Sequence, residues 1–390
     1  MATDWGQFDA NGTDYDAIYN GTDDEAGTTD NGQGGEVINQ LLITFGPGMT
    51  LQNLTLPAER RSLLEKYANF FAHPDELVSA ASETTPETRF LAVLKYYLNS
   101  FYPVHKSAVA KKPYDPFLGE KFRCRWTLPG VPLSTEQTAL GPFPGSASNQ
   151  FTFIAQQVSH RPPVSAFYAE HPPSRVSCTS YIRTESYVAG PSSVGVRNIG
   201  KATVVLGNHN ETYTATYPDV VARNCHVAPW FELSGKVEVR CAQSGYVAKI
   251  DFLAKPMLSG QAHQIEGQIS RGTERFGLLK GEWKGEILLK RSARRAFQLF
   301  TNVRTKPDVK KECVPVMQQE VNESRKVWRH LTAALYNNDT RLATQIKQNF
   351  RPHHPNNTVW KQQHFVQERP GMPWKYKYLR DTELDGAQQN

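Results

Sequence analysis

The chain has 390 residues, 39% of them apolar and 21% charged, with a formal net charge of +6. A chain of this length buries a sizeable core, so a mini-protein dependent on disulfide staples is excluded. No run of 18 apolar residues occurs, which excludes a membrane-spanning helix.

The net charge averages two unlike parts. Residues 1–36 contain nine acids and no Lys or Arg, whereas the rest of the chain holds all 44 basic residues and 29 acids, a net of +15. An acidic arm on a basic body points to an anionic partner: nucleic acid, a membrane surface or a phosphorylated ligand. The arm is rich in Asp, Gly, Thr and Asn and poor in aliphatics, so it is expected to be disordered. Its first residues show no secretory signal. Phe8-Asp9-Ala10 and Tyr15-Asp16-Ala17 repeat an aromatic–Asp–Ala triplet. The repeat fits either a solvated spacer or a short linear motif for a partner.

Val37, Ile38, Leu41, Leu42 and Phe45 have helical spacing and end at Gly46-Pro47-Gly48. About two turns of helix are marginal alone. The segment is a core-packing helix, a flap over a cavity or a membrane-touching piece. Two more amphipathic helices are predicted within residues 57–103. Leu63, Leu64, Tyr67, Phe70 and Phe71 line one, and Phe90, Val93, Leu94, Tyr97, Leu98 and Phe101 line the other, which starts near Pro86.

From 113 to about 300 the period changes to two. Lys236–Cys241 alternates polar and apolar, Gln243-Ser244-Gly245 turns, and Tyr246, Ala248, Ile250 and Phe252 alternate back, which is a β-hairpin. Such a long antiparallel meander suggests a large barrel, and many-stranded barrels enclose a cavity. Helical spacing returns after Pro315, first with Val327, Trp328, Leu331, Ala334 and Leu335 behind a cap at Asn322 or Ser324. A second helix, capped by Asp339, carries Leu342, Ile346 and Phe350. The aromatics of the tail (Trp360, Phe365, Trp374, Tyr376, Tyr378) suggest that it docks on the barrel.

Two clusters could carry chemistry. Gln156-Gln157-Val158-Ser159-His160-Arg161-Pro162-Pro163 sets two donor side chains at a strand end, where a Pro pair stops the ladder. A His beside an Arg suits a phosphate, and a surface turn with incidental charges is the alternative. Lys111-Lys112-Pro113-Tyr114-Asp115-Pro116-Phe117-Leu118-Gly119-Glu120 leads paired lysines into a turn. Catalytic motifs are absent: no GxSxG, HExxH or Gly-rich phosphate loop occurs, so no enzyme activity is expected. His353-His354 lacks further ligands at metal spacing, and no metal or cofactor is expected. The five cysteines (Cys124, Cys178, Cys225, Cys241, Cys313) form no CxxC pair and argue for a reducing compartment. The basic residues read as spread through the strands without a compact run, which argues against a nucleic-acid reading module.

Gln157–Pro163 resembles the EQVSHHPP fingerprint of the oxysterol-binding-protein-related lipid transfer proteins, and Lys111–Glu120 is similar to their KKPYNPxLGE motif. Val109-Ala110, Ser165–Glu170, Gly281–Gly285 and Glu323–Trp328 match in order and spacing from about Leu41 to Tyr376. The run Ser165–Glu170 resembles the subgroup of related proteins nine, ten and eleven. The resemblance implies a mainly β, α+β fold: a large incomplete antiparallel β-barrel around a hydrophobic tunnel, with an N-terminal lid and helices and C-terminal helices. It divides the chain into an acidic tail, 1–36, and one lipid-binding domain, 37–380. Within that domain lie a lid (37–56), helices (57–103), the barrel (113–300) and C-terminal helices with a tail (315–380).

The lid residues would be Val37, Ile38, Leu41, Leu42 and Phe45. The tunnel would hold a sterol or phosphatidylserine in exchange with phosphatidylinositol 4-phosphate. Head-group ligands map to Lys112, Asp115, His160, Arg161 and Lys347. Tyr15-Asp16-Ala17 resembles a degenerate FFAT motif, which docks on VAP-type receptors of the endoplasmic reticulum. The chain would then be cytoplasmic and peripherally bound to anionic membranes. Four departures from the family pattern stand out: Gln156 for Glu, Arg161 for the second His, Asp115 for Asn, and Arg351 and Pro355 where an acid and a base follow Lys347. They keep open a lipid-responsive scaffold with little transfer, and the +15 body keeps open nucleic-acid binding.

Overall fold

The computed structural model of the chain describes residues 9, 12–21, 58–104, 106, 110–131, 137–190, 193–223, 229–255, 260–292, 294–349 and 363–378. The lid segment 37–56, Cys225, the His353-His354 pair and Trp360 lie outside them.

The helical segment opens with strand β1 (Ala58–Ser62), whose last residue caps helix α2 (Leu63–Ala68) by accepting from the Leu64 N–H. A 3-10 turn, Asn69–Phe71, follows. The face predicted for one longer helix is therefore split, yet Leu64, Tyr67 and Phe71 are all buried. Helix α3 (Pro74–Ala80) was not anticipated. Helix α4 (Pro86–Asn99) starts as predicted, with Pro86 in its first turn behind a reciprocal Thr85–Thr88 capping box. Helix α5 (Phe101–Val104) closes the segment.

Strand β2 (Lys112–Tyr114) pairs in parallel with β1 as a separate two-stranded ribbon. The main sheet runs through β3 (Lys121–Thr127), β4 (Gln150–His160), β5 (Pro163–His171), β6 (Val176–Gly190), β7 (Ser193–Leu206), β8 (Glu211–Thr216), β9 (Asp219–Arg223), β10 (Trp230–Cys241), β11 (Tyr246–Leu253), β12 (Gln264–Arg271), β13 (Glu274–Glu282), β14 (Glu286–Lys290) and β15 (Gln298–Asn302). β16 (Lys311–Glu312) adds to β3. Neighbours are antiparallel and mostly consecutive, the exception being β9, which bridges β7 and β10. The sheet ends at β15 and β16, which do not pair among the described residues, so the barrel is incomplete. The predicted hairpin is β10–β11, with Cys241 opposite Tyr246 and Gly245 at a φ of 74° that favours glycine.

Strand side chains alone cannot fill so wide a barrel, and the expectation was a hollow interior. Helix side chains take up much of that space. Phe71 packs against Trp126, Phe151, Phe153 and Phe167 at ring separations of 5.5–6.3 Å. Phe90 stacks on Tyr246 at 5.3 Å. The outward face of β4 is covered too. β17 (Phe365–Gln367) and β18 (Trp374–Tyr376) lay the tail over Ile154, Val158 and Tyr168, and Tyr376 stacks on Tyr168 at 4.4 Å. Covered on both faces, β4 is buried through most of its length, its polar Thr152, Gln156 and Gln157 included.

Helices α6 (Ser324–Tyr336) and α7 (Thr340–Asn349) follow the barrel. Asp339 caps α7 as expected, accepting from the Leu342 N–H at 2.8 Å. The expected cap of α6 does not form. Its N-cap is Glu323 without a side-chain bond, because Ser324 donates to Glu120 and Asn322 to the Gly119 carbonyl.

The disordered arm needs correction over part of its length. Tyr15–Asn20 forms helix α1, capped by Asp14, and docks on α6. Tyr15 and Tyr19 are buried, and the Tyr19 hydroxyl bonds to the Arg325 carbonyl and to Thr332, each at 3.0 Å. Asp9 pairs with Arg329 at 2.8 Å, and Asp16 accepts from the Val316 N–H. Aliphatic content undercounted this segment: a buried tyrosine ring contributes about 2 kcal/mol or more, as a leucine would. Asp9 of the first aromatic–Asp–Ala triplet and Tyr15 and Asp16 of the second, read as a spacer or an external motif, are engaged within the chain here.

Candidate functional site

A cavity of about 250 Å³ opens between the β1–β2 ribbon, the helices and the strands β6, β7, β9 and β10. Its walls are apolar: Leu63, Phe70, Phe101, Ile182, Tyr217 and Leu233 contribute, among others. Charge is confined to one side, where the chain switches from helix to ribbon. Lys66, Lys111 and Lys112 line the cavity there with Glu59 and Asp115. Lys66 pairs with Glu59 at 2.6 Å, and Lys112 with Asp115 at 2.8 Å. A second, smaller void of about 40 Å³ lies deeper in the barrel and shares Phe70, Phe101 and Tyr217 with the first. These three rings stand between the two spaces.

One polar atom inside is poorly matched. Tyr67 is buried and lines the cavity, and among the described residues its hydroxyl makes no hydrogen bond of good geometry. The nearby Ser165 hydroxyl donates to Gln157 at 2.6 Å. Burial raises the Tyr67 phenol far above its ordinary value, so the group is a neutral donor.

The predicted site residues are only partly gathered. Lys112 and Asp115 stand at the cavity. His160 and Arg161 sit at the exposed β4–β5 turn and do not line it. Their strand is nonetheless held beside the lysine loop: the Gly119 N–H donates to the Gln157 carbonyl and the Gln157 N–H to the Glu120 carbonyl, both at 2.9 Å. Lys347 is exposed on α7, next to Ile346, which packs in the same cluster as Tyr114. Lys66 and Tyr67 escaped the sequence reading because both lie in a helix whose apolar spacing explained it as core. The heptad face alone gives no sign that part of it fronts a cavity.

The oxysterol-binding protein family model matches residues 42–375. The chain belongs to the oxysterol-binding protein family. Oxysterol-binding protein-related protein 9 of Xenopus tropicalis is 38% identical over 351 residues, covering 87% of this chain and 47% of that protein. The human protein of the same name is 38% identical over 349 residues, with the same coverage, and human related protein 10 is 35% identical over 364. The chain thus spans about half the length of these relatives. Among solved structures, the yeast (Saccharomyces cerevisiae) Osh3 ORD in complex with PI(4)P has a TM-score of 0.62 at 19% identity, covering 85% of this chain and 87% of that one. The Osh1 ORD with ergosterol has a TM-score of 0.59 at 18% identity, covering 86% and 88%. At such identities the likeness shows the fold.

In this oxysterol-binding protein family member the matching motifs converge on a buried carboxylate. Glu120 accepts from the Ser62 and Ser324 hydroxyls at 2.6 and 2.7 Å, the Trp328 indole at 3.1 Å and the Phe117 N–H at 3.1 Å. Burial raises Glu120 above the usual carboxylate range even against these donors. Close by, Glu65 is buried among Arg325, Lys311 and Arg61. Burial opposes its charge, but the three cations hold it well below the usual range. Gln156 uses both ends of its amide: it donates to the Gly119 carbonyl at 3.3 Å and accepts from the Gln363 and His364 N–H groups at 3.1 Å. An ionised glutamate there could accept but not donate. These groups tie loop, barrel, α6 and tail together and do not face the cavity.

Proposed function

We propose that the chain takes one lipid from a membrane into this cavity and delivers it to another, carrying a sterol or phosphatidylserine in exchange with phosphatidylinositol 4-phosphate. The observation that carries the reading is the cavity itself: an apolar enclosure with three lysines at its rim. Burial of a sterol or acyl chain is favourable at about 25 cal/mol per Å², and the rim supplies donors to a phosphate or hydroxyl. Solved relatives of the same fold, described as complexes with PI(4)P and ergosterol, support a lipid ligand.

In this reading Lys112, His160, Arg161 and Lys347 clamp the head-group phosphate, with Asp115 as the modulating carboxylate, and Tyr67 offers its hydroxyl to the ligand's polar end. The rings of Phe70, Phe101 and Tyr217 turn aside so that the two voids join. Residues 37–56, with Val37, Ile38, Leu41, Leu42 and Phe45, form the lid, residues 1–36 the arm and 37–380 the lipid-binding domain. The chain works in the cytoplasm at anionic membrane surfaces without catalysing a reaction. Docking to a VAP-type receptor through Tyr15-Asp16-Ala17 requires release of α1 first.

Transfer of labelled sterol and phosphatidylinositol 4-phosphate between donor and acceptor liposomes tests the reading. Acceleration by the chain is expected, and its loss in Val220→Trp, which fills the cavity from a partly buried wall. A second reading, a lipid-responsive scaffold, is favoured by the Lys112–Asp115 pair, which occupies one of the expected phosphate donors. Stoichiometric loading without any acceleration would decide for it.

A further inference from the structure

In sequence the basic residues read as spread through the strands without a compact run. The β14–β15 turn departs from that: Lys290, Arg291, Arg294 and Arg295 fall within six residues. The inward residues of these strands are Leu279 and Leu289, both buried, so the alternate positions face outward. Lys280 on β13 and Lys290 on β14 share that outer face, and both ammonium groups approach the Phe297 ring, at 4.3 and 5.8 Å. Leu299, on the terminal strand and opposite Leu288, is 61% exposed. Arg294 and Arg295 are exposed as well. Among the described residues only Arg291 of this group has a salt bridge, to Glu87 at 3.0 Å. Glu266 stands opposite Lys280 in the ladder and bounds the patch on the β12 side.

We infer that this outer face, with the β14–β15 turn, is a docking surface for an anionic lipid bilayer. Charge complementarity selects the occupant. Arg294 and Arg295 have no salt bridge among the described residues, and Lys280 and Lys290 keep their charge over the Phe297 ring, so the face presents positive charge that an anionic leaflet attracts and salt weakens. Leu299 sits among them as an aliphatic group able to enter the interface between head groups and acyl chains. A nucleic acid makes poorer use of the patch: the Phe297 ring is already engaged by two ammonium groups, and an aliphatic leucine gains nothing against a phosphate backbone. The surface is separate from the cavity lining. The inference shares with the lipid-carrier reading the premise that the chain works at membranes.

Flotation with phosphatidylcholine vesicles, with and without phosphatidylserine, tests it. The chain is expected to float with the anionic vesicles only, and to be released by salt. The double variant Arg294→Glu/Arg295→Glu should lower partitioning by about thirtyfold or more, and Leu299→Ser by a few-fold, with unchanged thermal melting. Should the double reversal unfold the turn, Arg294→Gln/Arg295→Gln gives the same reading with a smaller loss. Flotation of the charge-reversed chain like the parent overturns the inference. So does an RNA oligonucleotide bound through these arginines while vesicles are ignored. Loading with sterol delivered on cyclodextrin is measured alongside. No sterol loading with arginine-dependent flotation sinks the carrier reading and leaves the surface standing.

Discussion

The Lys112 ammonium lies 2.8 Å from the Asp115 carboxylate, within one loop at the cavity rim. The related family motif has an uncharged Asn at this place. A carboxylate there would repel a phosphate, and the lysine three residues earlier offsets it. Both side chains are well exposed, 46% and 80%, so the pair is weak in water and a phosphate can take over the lysine.

Asp115→Asn is therefore expected to strengthen capture of phosphatidylinositol 4-phosphate from liposomes several-fold, and Lys112→Ala to abolish it. Sterol loading should change little in either. Equal capture by the parent and Asp115→Asn would show that the carboxylate does not reach the ligand.

Tyr19 anchors the arm. Besides its hydroxyl bonds, its ring lies under the Arg61 and Arg325 guanidinium groups, each 5.0 Å from the centroid, and its carbonyl accepts from Arg61 at 2.7 Å. Tyr19→Ala should release α1, because truncating a buried aromatic costs about 3–5 kcal/mol. Hydrogen exchange should rise sharply over residues 12–21 while the barrel strands keep their protection.

Glu120→Ala should cost about 3 kcal/mol or more in urea unfolding, because the Trp328 indole and the Ser62 and Ser324 hydroxyls would remain buried without their acceptor. Glu120→Gln, which still offers an oxygen, should cost distinctly less. Similar losses in both variants would mean that the negative charge matters more than the acceptor.

His364 lies where the tail meets the barrel, its backbone N–H donating to Gln156. Burial, with Lys121 and Arg123 beside it, lowers its ring to about 4. The neutral ring is thus favoured in the folded state. This stability is complete above pH 6.5 and declines as the pH falls from 6.5 towards 4, where the unfolded chain binds the extra proton. His364→Gln should flatten the slope of stability against pH in that window by about one proton, or ~1.4 kcal/mol per pH unit.

Much of the fold was legible in order along the chain. Period two marked the barrel, Pro86 marked the start of α4, and Asp339 marked the cap of α7, since each depends on residues adjacent in sequence. The loop and strand-end motifs were legible as motifs, but their contents were not. Glu120 and Gln156 look like parts of a ligand site and instead bind Ser324, Trp328, Gln363 and His364, some two hundred residues away. Lys66 and Tyr67 lie in a helix whose spacing reads as core, and they face the cavity.

The sequence alone determined that this chain is a large meandering barrel with an acidic arm and a basic body, because alternation, glycine turns and charge runs are local. Only the tertiary structure decided where the space inside lies and which charges border it. Those depend on how far helix side chains enter the barrel, and on partners such as Arg325 with Glu65 or Arg329 with Asp9, which the chain brings together only when folded.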